Sequence, residues 1–232
     1  MLATDPNPIV TSRFAAEFRP AAPLQGTPSA LADPQPPRPV QTHERGTTIL
    51  REGDAAHHWY EVVSGLARTC KLLADGRRLI GEFLLPGDVF GFELGATHSV
   101  DVEAILPTTL ARFPLARFRE TPDSRPDVAA RLHRLAFETV SRTNGRLLLL
   151  ARQTAQERVA GFILEMDRRL ERTGSRIELP MTRQDVADYL CLTIETVCRT
   201  LADLRRQGAV AVDSGHAILI RDRKALIDIA GQ

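Results

Sequence analysis

The sequence predicts an α+β protein in three folded parts: an antiparallel β-roll, a long helix, and a carboxy-terminal unit of short helices with a β-hairpin. Three observations predict it. Between about 41 and 118, glycines at 46, 53, 65, 76, 81, 87 and 91 break the chain into apolar runs of four to eight residues. That rhythm belongs to short strands in a roll or barrel. From about 124 to 172 glycine almost disappears and the apolar period becomes helical. From Leu179 onward two capped helical patterns lie about three residues apart and precede "AVAV-DSGH-AILI".

Residues 1–40 hold nine of the chain's fifteen prolines, ending in "DPQPPRPVQ". Proline removes a backbone donor and opposes helix, so this segment reads as a flexible tail to which no chemistry is assigned. Residues 41–123 form the roll, with Asp75-Gly76 as a hairpin turn and Pro86-Gly87-Asp88 as a second turn. Residues 124–152 form the long helix. Ala136, Val140, Thr143, Leu147 and Leu150 step by 4, 3, 4 and 3 as a coiled-coil seam does, and Leu132, Leu135, Leu148 and Leu149 widen the apolar face. Such a face pairs with a second copy of the chain or packs on its own roll; pairing is the expectation, with Thr143 as the polar interruption.

Residues 153–232 form the last unit. Thr182 stands three residues before Asp185 and caps "RQDVADYL", while Thr193 caps the following helix, which stops at Gly208. Two short helices separated by about three residues and followed by a hairpin make a winged helix-turn-helix.

Net charge is +1, so any surface for a polyanion is local rather than global. No run approaches the eighteen apolar residues of a membrane span, and the opening "MLATDPNPIV" lacks the pattern of a signal peptide. Three cysteines, Cys70, Cys191 and Cys198, do not make a disulfide framework and fit a reducing compartment. The expected location is the cytoplasm, away from membranes. No motif assembles a nucleophile with its base or a metal with its ligands, so an enzyme is not expected.

The second helix of the pair carries two messages. Val197, Leu201 and Leu204 form one apolar stripe, and Glu195, Cys198, Arg199, Ala202 and Arg206 face the other way. Glu195 and Arg199 are one turn apart and side by side, which alone is an ordinary surface pair. Their place at the start of the second helix is where a recognition helix presents side chains to the major groove. An arginine fork matches guanine N7 and O6, and a carboxylate accepts from cytosine N4. Glu195, Cys198 and Arg199 are therefore the candidate base-reading residues. Arg183, Gln184, Thr193, Thr196 and Arg206 are the candidate phosphate contacts, the threonines being at the positive end of the helix dipole.

At these residues the chain resembles the CRP/FNR superfamily of transcription regulators. "RQDVADYLCLTIETVCRTLADLRRQGAV" looks like its helix-turn-helix, with the core Glu195-Thr196-Val197-Cys198-Arg199. "EGDAAHHWYEVVSGLARTCKLLADGRRLIGEFLLPGDVFG" resembles its sensor roll, a cyclic-nucleotide-binding-like double-stranded β-helix. The matches span about residues 42–222, and "LPGDVFGFE" and "LTIETVCRTL" look closest to the FixK-type branch. The resemblance implies a homodimer on a palindrome, with two reading helices one DNA turn or roughly 34 Å apart. It implies half-sites of a TTGA-N6-TCAA-like palindrome, with Arg199 on guanine, Glu195 on the paired or neighbouring cytosine and adenine edge, and Ile194 near a thymine methyl. It also implies contact with RNA polymerase and activation of low-oxygen respiration and nitrogen-fixation genes.

The resemblance raises the question of an effector, and a ligand-gated regulator is the alternative reading. Where the cyclic-AMP branch uses Gly-Glu-Leu and Arg-Ser, this chain has Gly91-Phe92-Glu93-Leu94 and His98-Ser99. The inserted Phe and the loss of a permanent guanidinium argue against cyclic-nucleotide binding. Three cysteines are too few for a four-ligand iron-sulfur cluster in one chain. Gly91 and Glu93 stand where the haem-sensing branch has its Cys and His, so haem is not expected. His57, His58 and His98 read as surface residues rather than as a metal site.

Cys191 occupies the turn between the helices, where relatives carry a left-handed Gly, and Cys198 lies on the reading face. Both are candidate redox-sensitive residues. Oxidation of Cys198 to an acid would set a new anion against DNA.

Overall fold

The computed structural model describes residues 39–93, 95–116, 154–170, 176–213 and 217–231, together with residues 134, 137, 139–141, 143–147 and 150, all helical. The proline-rich tail to residue 38, Leu94, the hairpin tip 214–216, the seam residue Ala136 and its neighbours Leu132, Leu135, Leu148 and Leu149 lie outside the described residues.

The roll is made of β1 (Val40–His43), β2 (Thr48–Leu50), β3 (His58–Ser64), β4 (Ala67–Leu72), β5 (Arg78–Leu84), β6 (Val89–Phe90), β7 (Asp101–Ala104) and β8 (Thr108–Pro114). These form two four-stranded antiparallel sheets, ordered β1-β8-β3-β6 and β2-β7-β4-β5. Strand periodicity shows in β7, where buried Val102 and Ala104 alternate with half-buried Asp101 and Glu103. Leu50, Val62, Ala67, Leu84, Phe90, Val102 and Leu110 fill the space between the sheets. Each fully buried large apolar side chain contributes about 1.5–3 kcal/mol. Trp59 stacks on Phe113 at 4.1 Å and on Phe92 at 5.0 Å.

The turns follow from residue chemistry. In the β4–β5 hairpin Gly76 takes φ +84°, and the Asp75 carboxylate accepts the Arg77 N–H at 3.0 Å. Between β5 and β6, Asp88 accepts the Leu85 N–H through its carboxylate at 2.8 Å. Gly65, between β3 and β4, combines φ +92° with a site where a Cβ would lie 2.2 Å from the Pro107 carbonyl, so only glycine fits.

The carboxy-terminal unit contains α1 (Ala155–Arg169), β9 (Arg176–Glu178), α2 (Arg183–Leu190), α3 (Ile194–Arg206), β10 (Val210–Val212), β11 (Ala217–Ile220) and α4 (Arg223–Ile229). Its small sheet runs β10-β11-β9. The hairpin has the expected strands, but β9 is an addition: three residues, "RIE", too short for a periodic signal. Likewise α1 begins as a helix of its own at a Thr154–Glu157 capping box, whose T-x-x-E pattern is the local signal for that start.

The roll and this unit share one core. Val159, Phe162, Ile163 and Met166 of α1, Val186 and Leu190 of α2, and Val197, Leu201 and Leu204 of α3 pack in a cluster that continues into Leu66, Cys70, Ile80, Phe83 and Leu85 of the roll. Phe83 lies 5.0 Å from Tyr189 and 6.2 Å from Phe162, ring to ring. Arg146, in the helical stretch, places its guanidinium 4.4 Å from the Tyr189 ring centre and donates to the Ile80 and Tyr189 carbonyls. Burial, with Glu103 beside it, pushes the Cys70 thiol up to about 11.

On that helical stretch Phe137, Val140 and Leu147 are 75, 56 and 60% exposed. Thr143 is exposed too, and its hydroxyl is satisfied locally by the Thr139 carbonyl at 2.9 Å. Leu150 is half-buried, and its carbonyl accepts from Arg158 at 2.7 Å. The described part of the seam thus presents apolar surface to solvent within one chain.

Candidate nucleic-acid interface

The two-helix element is built by its caps. Thr182 and Asp185 satisfy each other's backbone N–H groups at the start of α2, at 3.0 and 3.1 Å. At the other end Cys191 adopts φ 53° and ψ 46°, a left-handed cap, and it is the one non-glycine described residue with positive φ. This conformation costs a residue with a Cβ about 1–2 kcal/mol, and the turn keeps it. Leu192 then donates its N–H to the Ala187 carbonyl at 2.9 Å. Thr193 opens α3 by accepting the Thr196 N–H at 3.2 Å.

α3 buries Val197, Thr200, Leu201 and Leu204 against α1 and α2. The burial of one stripe decides where everything else points. Glu195, Cys198, Arg199, Ala202 and Arg206 are all exposed on the opposite side. Glu195 and Arg199 do not form an ion pair, and no hydrogen bond or ion pair engages the Arg199 guanidinium among the described residues. The Glu195 backbone N–H and then the Thr193 hydroxyl hold the Glu195 carboxyl below its ordinary pKa, so it is ionised at neutral pH. The outer face therefore offers an acceptor and a free five-donor fork one turn apart.

The remaining candidates are placed less uniformly. Ile194 is half-buried and packs partly against the core, leaving only part of its side chain for a partner. Thr193 and Thr196 hydroxyls lie 3.1 Å apart at the helix start. Arg183 is half-buried, and burial lowers its pKa. Gln184 is exposed but donates to Asp188 at 2.6 Å. Arg206 pairs with Asp203 at the end of α3. Cys191 and Cys198 are both exposed, and Cys70 is buried.

In the roll, Glu93 accepts from the Ser99 N–H and hydroxyl, both at 3.0 Å. His98 corrects a sequence expectation: it is 4% exposed rather than on the surface. Its backbone donates to the Asp54 carbonyl and accepts from the Gly53 N–H, and its ring places Nδ1 3.8 Å from the Glu93 carboxylate. His57 is exposed and His58 half-buried. Among the described residues no group of three His, Cys, Asp or Glu side chains is placed to hold a metal ion, and no helix is long and apolar enough to cross a membrane.

Comparison with known proteins agrees with this layout. Residues 157–229 match the Crp-like helix-turn-helix domain and residues 40–124 the cyclic nucleotide-binding domain. The chain is 43% identical to the nitrogen fixation regulation protein FixK of Azorhizobium caulinodans over 186 residues, covering 78% of this chain and 75% of that protein. It is 41% identical to the FixK of Rhizobium meliloti over 190 residues, covering 82% and 86% respectively. The solved structure of FixK2 from Bradyrhizobium japonicum superposes with a TM-score of 0.77 at 40% identity, covering 83% of this chain and 96% of that one. With both domains matched in order and such identity across most of the molecule, the chain belongs to the CRP/FNR superfamily of transcription regulators, in its FixK-like branch.

Proposed function

We propose that the protein is a homodimeric, sequence-specific DNA-binding activator of low-oxygen and nitrogen-fixation-type genes, which reads a TTGA-N6-TCAA-like palindrome and contacts RNA polymerase. The observation that carries the reading is the outer face of α3, where Arg199 is exposed and has no partner among the described residues, beside an ionised Glu195. A guanidinium left without a partner gains most from a bidentate acceptor, and guanine supplies one. Arg199 reads the guanine; Glu195 accepts from a neighbouring exocyclic amine, Cys198 and the exposed part of Ile194 touch base methyls, and the α3 N-terminus with Thr193 and Thr196 sits on phosphate. Arg183, Gln184 and Arg206 complete the backbone contacts, Gln184 and Arg206 after exchanging or sharing Asp188 and Asp203. Dimerisation through Val140, Thr143, Leu147 and Leu150, with Ala136, is supported by the apolar surface that Phe137, Val140 and Leu147 leave open.

The same reading makes the roll a packing unit without a cyclic nucleotide, haem or iron-sulfur cluster. Two features support it. Glu93 already accepts two hydrogen bonds from Ser99, and buried His98 replaces a permanent cation where a cyclic phosphate would need one. The rival is a regulator gated by a small effector in the roll. Purified protein, titrated into a duplex carrying the palindrome at physiological salt, is expected to bind at about 10 nM or tighter without additive. Cyclic AMP or cyclic GMP should leave that affinity unchanged and give no heat in calorimetry. Binding that requires either nucleotide would establish the gated reading instead.

A further inference from the structure

The roll grips the helix-turn-helix by its first helix. Arg68 on β4 donates through Nη1 to Asp185 Oδ1 at 2.5 Å, and Arg78 on β5 donates through Nη2 to the same oxygen at 2.7 Å. Arg78 Nε also donates to Asp188 Oδ2 at 2.7 Å. Asp185 and Asp188 are three residues apart and so share one face of α2. The Asp185 side chain is only 4% exposed, and its second oxygen holds the Thr182 N–H of the helix cap at 3.0 Å. Arg68 is itself oriented by Glu103, which accepts from Nε and Nη2 at 3.0 and 2.7 Å. One carboxylate thus ties the start of α2 to two strands of the roll.

Such a cluster is a poor device for stability, because desolvating the charges offsets most of their attraction, and apolar packing of equal volume does as well or better. What it supplies is direction. Apolar contacts at Phe83 and Tyr189 tolerate sliding, whereas three charge-assisted hydrogen bonds from the roll to two neighbouring carboxylates fix α2 in rotation and position. α3 packs on α2 and carries Glu195 and Arg199 outward. Two copies must present those faces one DNA turn apart, so an α2 free to swing would spend only part of its time in register.

We propose that Arg68 and Arg78 are positioning residues for DNA binding: by holding Asp185 and Asp188 they keep α3 in the binding orientation while touching no DNA. This rests on the reading of α3 as the DNA-reading helix. If loss of the grip leaves the competent orientation about one tenth populated, apparent affinity falls about tenfold.

The test uses the full chain, fluorescence anisotropy on palindromic and scrambled duplexes, and a salt series. Arg78→Ala, Arg68→Ala and Asp185→Asn are compared with Arg78→Lys and Arg199→Ala; Asp185→Asn keeps a cap acceptor for Thr182 and carries the test should an alanine variant fail to fold. The expected result is about a tenfold loss on both duplexes for Arg78→Ala and Asp185→Asn, part recovery in Arg78→Lys, and an unchanged half-site preference. The salt slope should also stay the same, because no phosphate contact is lost. Unchanged affinity overturns the proposal. Higher affinity does so too, since the grip would then hold an inactive orientation, and a shallower salt slope would place the arginine on DNA. Should Arg199→Ala leave the half-site preference intact, the reading of α3 fails and takes this inference with it.

Discussion

Phe83→Ala tests whether the roll and the winged unit are one cooperative body. Phe83 is fully buried and meets Tyr189 and Phe162 across the boundary between them. Truncating a buried phenylalanine costs about 3–5 kcal/mol, the aromatic pairs included. With a urea slope of about 2 kcal/mol per M, the midpoint should fall by roughly 1.5–2.5 M. Trp59, the chain's single tryptophan, reports on the roll, and far-ultraviolet circular dichroism reports on α1, α2 and α3. In the wild type both signals should change in one transition, and in Phe83→Ala both should shift, at fixed protein concentration because association adds to apparent stability. Separate wild-type transitions for the two probes, or a shift worth under about 1 kcal/mol, would refute the shared core.

Leu147→Glu should turn the proposed dimer into a monomer by sedimentation, since burying an uncompensated carboxylate costs several kcal/mol and more than about a hundredfold in dissociation constant; an unchanged mass would remove Leu147 from the interface. Native alkylation should label Cys191 and Cys198 and spare Cys70, whose burial holds the thiol at about 11. Because an unfolded thiol ionises near 9.0 while folded Cys70 keeps its proton, stability should fall as pH rises across that window. Peroxide should weaken operator binding in the wild type and spare Cys198→Ser; equal losses in both would rule out Cys198 as the sensitive group.

Legibility in the sequence tracked the range of the interaction. Local signals were readable: the Asp75-Gly76 turn, the Thr182 and Thr193 caps and the apolar stripe of α3 each depend on residues within one or two turns of chain. At Cys191 the family motif points to a left-handed backbone while a residue with a Cβ leaves another turn conformation open, and the structure takes the left-handed one. The Thr154–Glu157 cap was equally local and was overlooked. What could not be read was long-range. Arg68 and Arg78 look like ordinary polar strand residues until the fold brings α2 against them, 107 or more positions away in sequence. His98 looked like a surface histidine because nothing nearby shows that its backbone is clamped by Gly53 and Asp54. Likewise, Glu195 and Arg199 stand at ion-pair spacing, and only the structure shows that no described residue pairs with the guanidinium.

The most direct measurement is the affinity of wild type, Arg199→Ala and Glu195→Ala for duplexes in which each position of the TTGA half-site is changed in turn. Arg199→Ala should lose about 1–3 kcal/mol on the intact site and tolerate replacement of the guanine, while wild type discriminates against it. If Arg199→Ala ranks the half-site variants as the wild type does, the exposed face of α3 does not read bases.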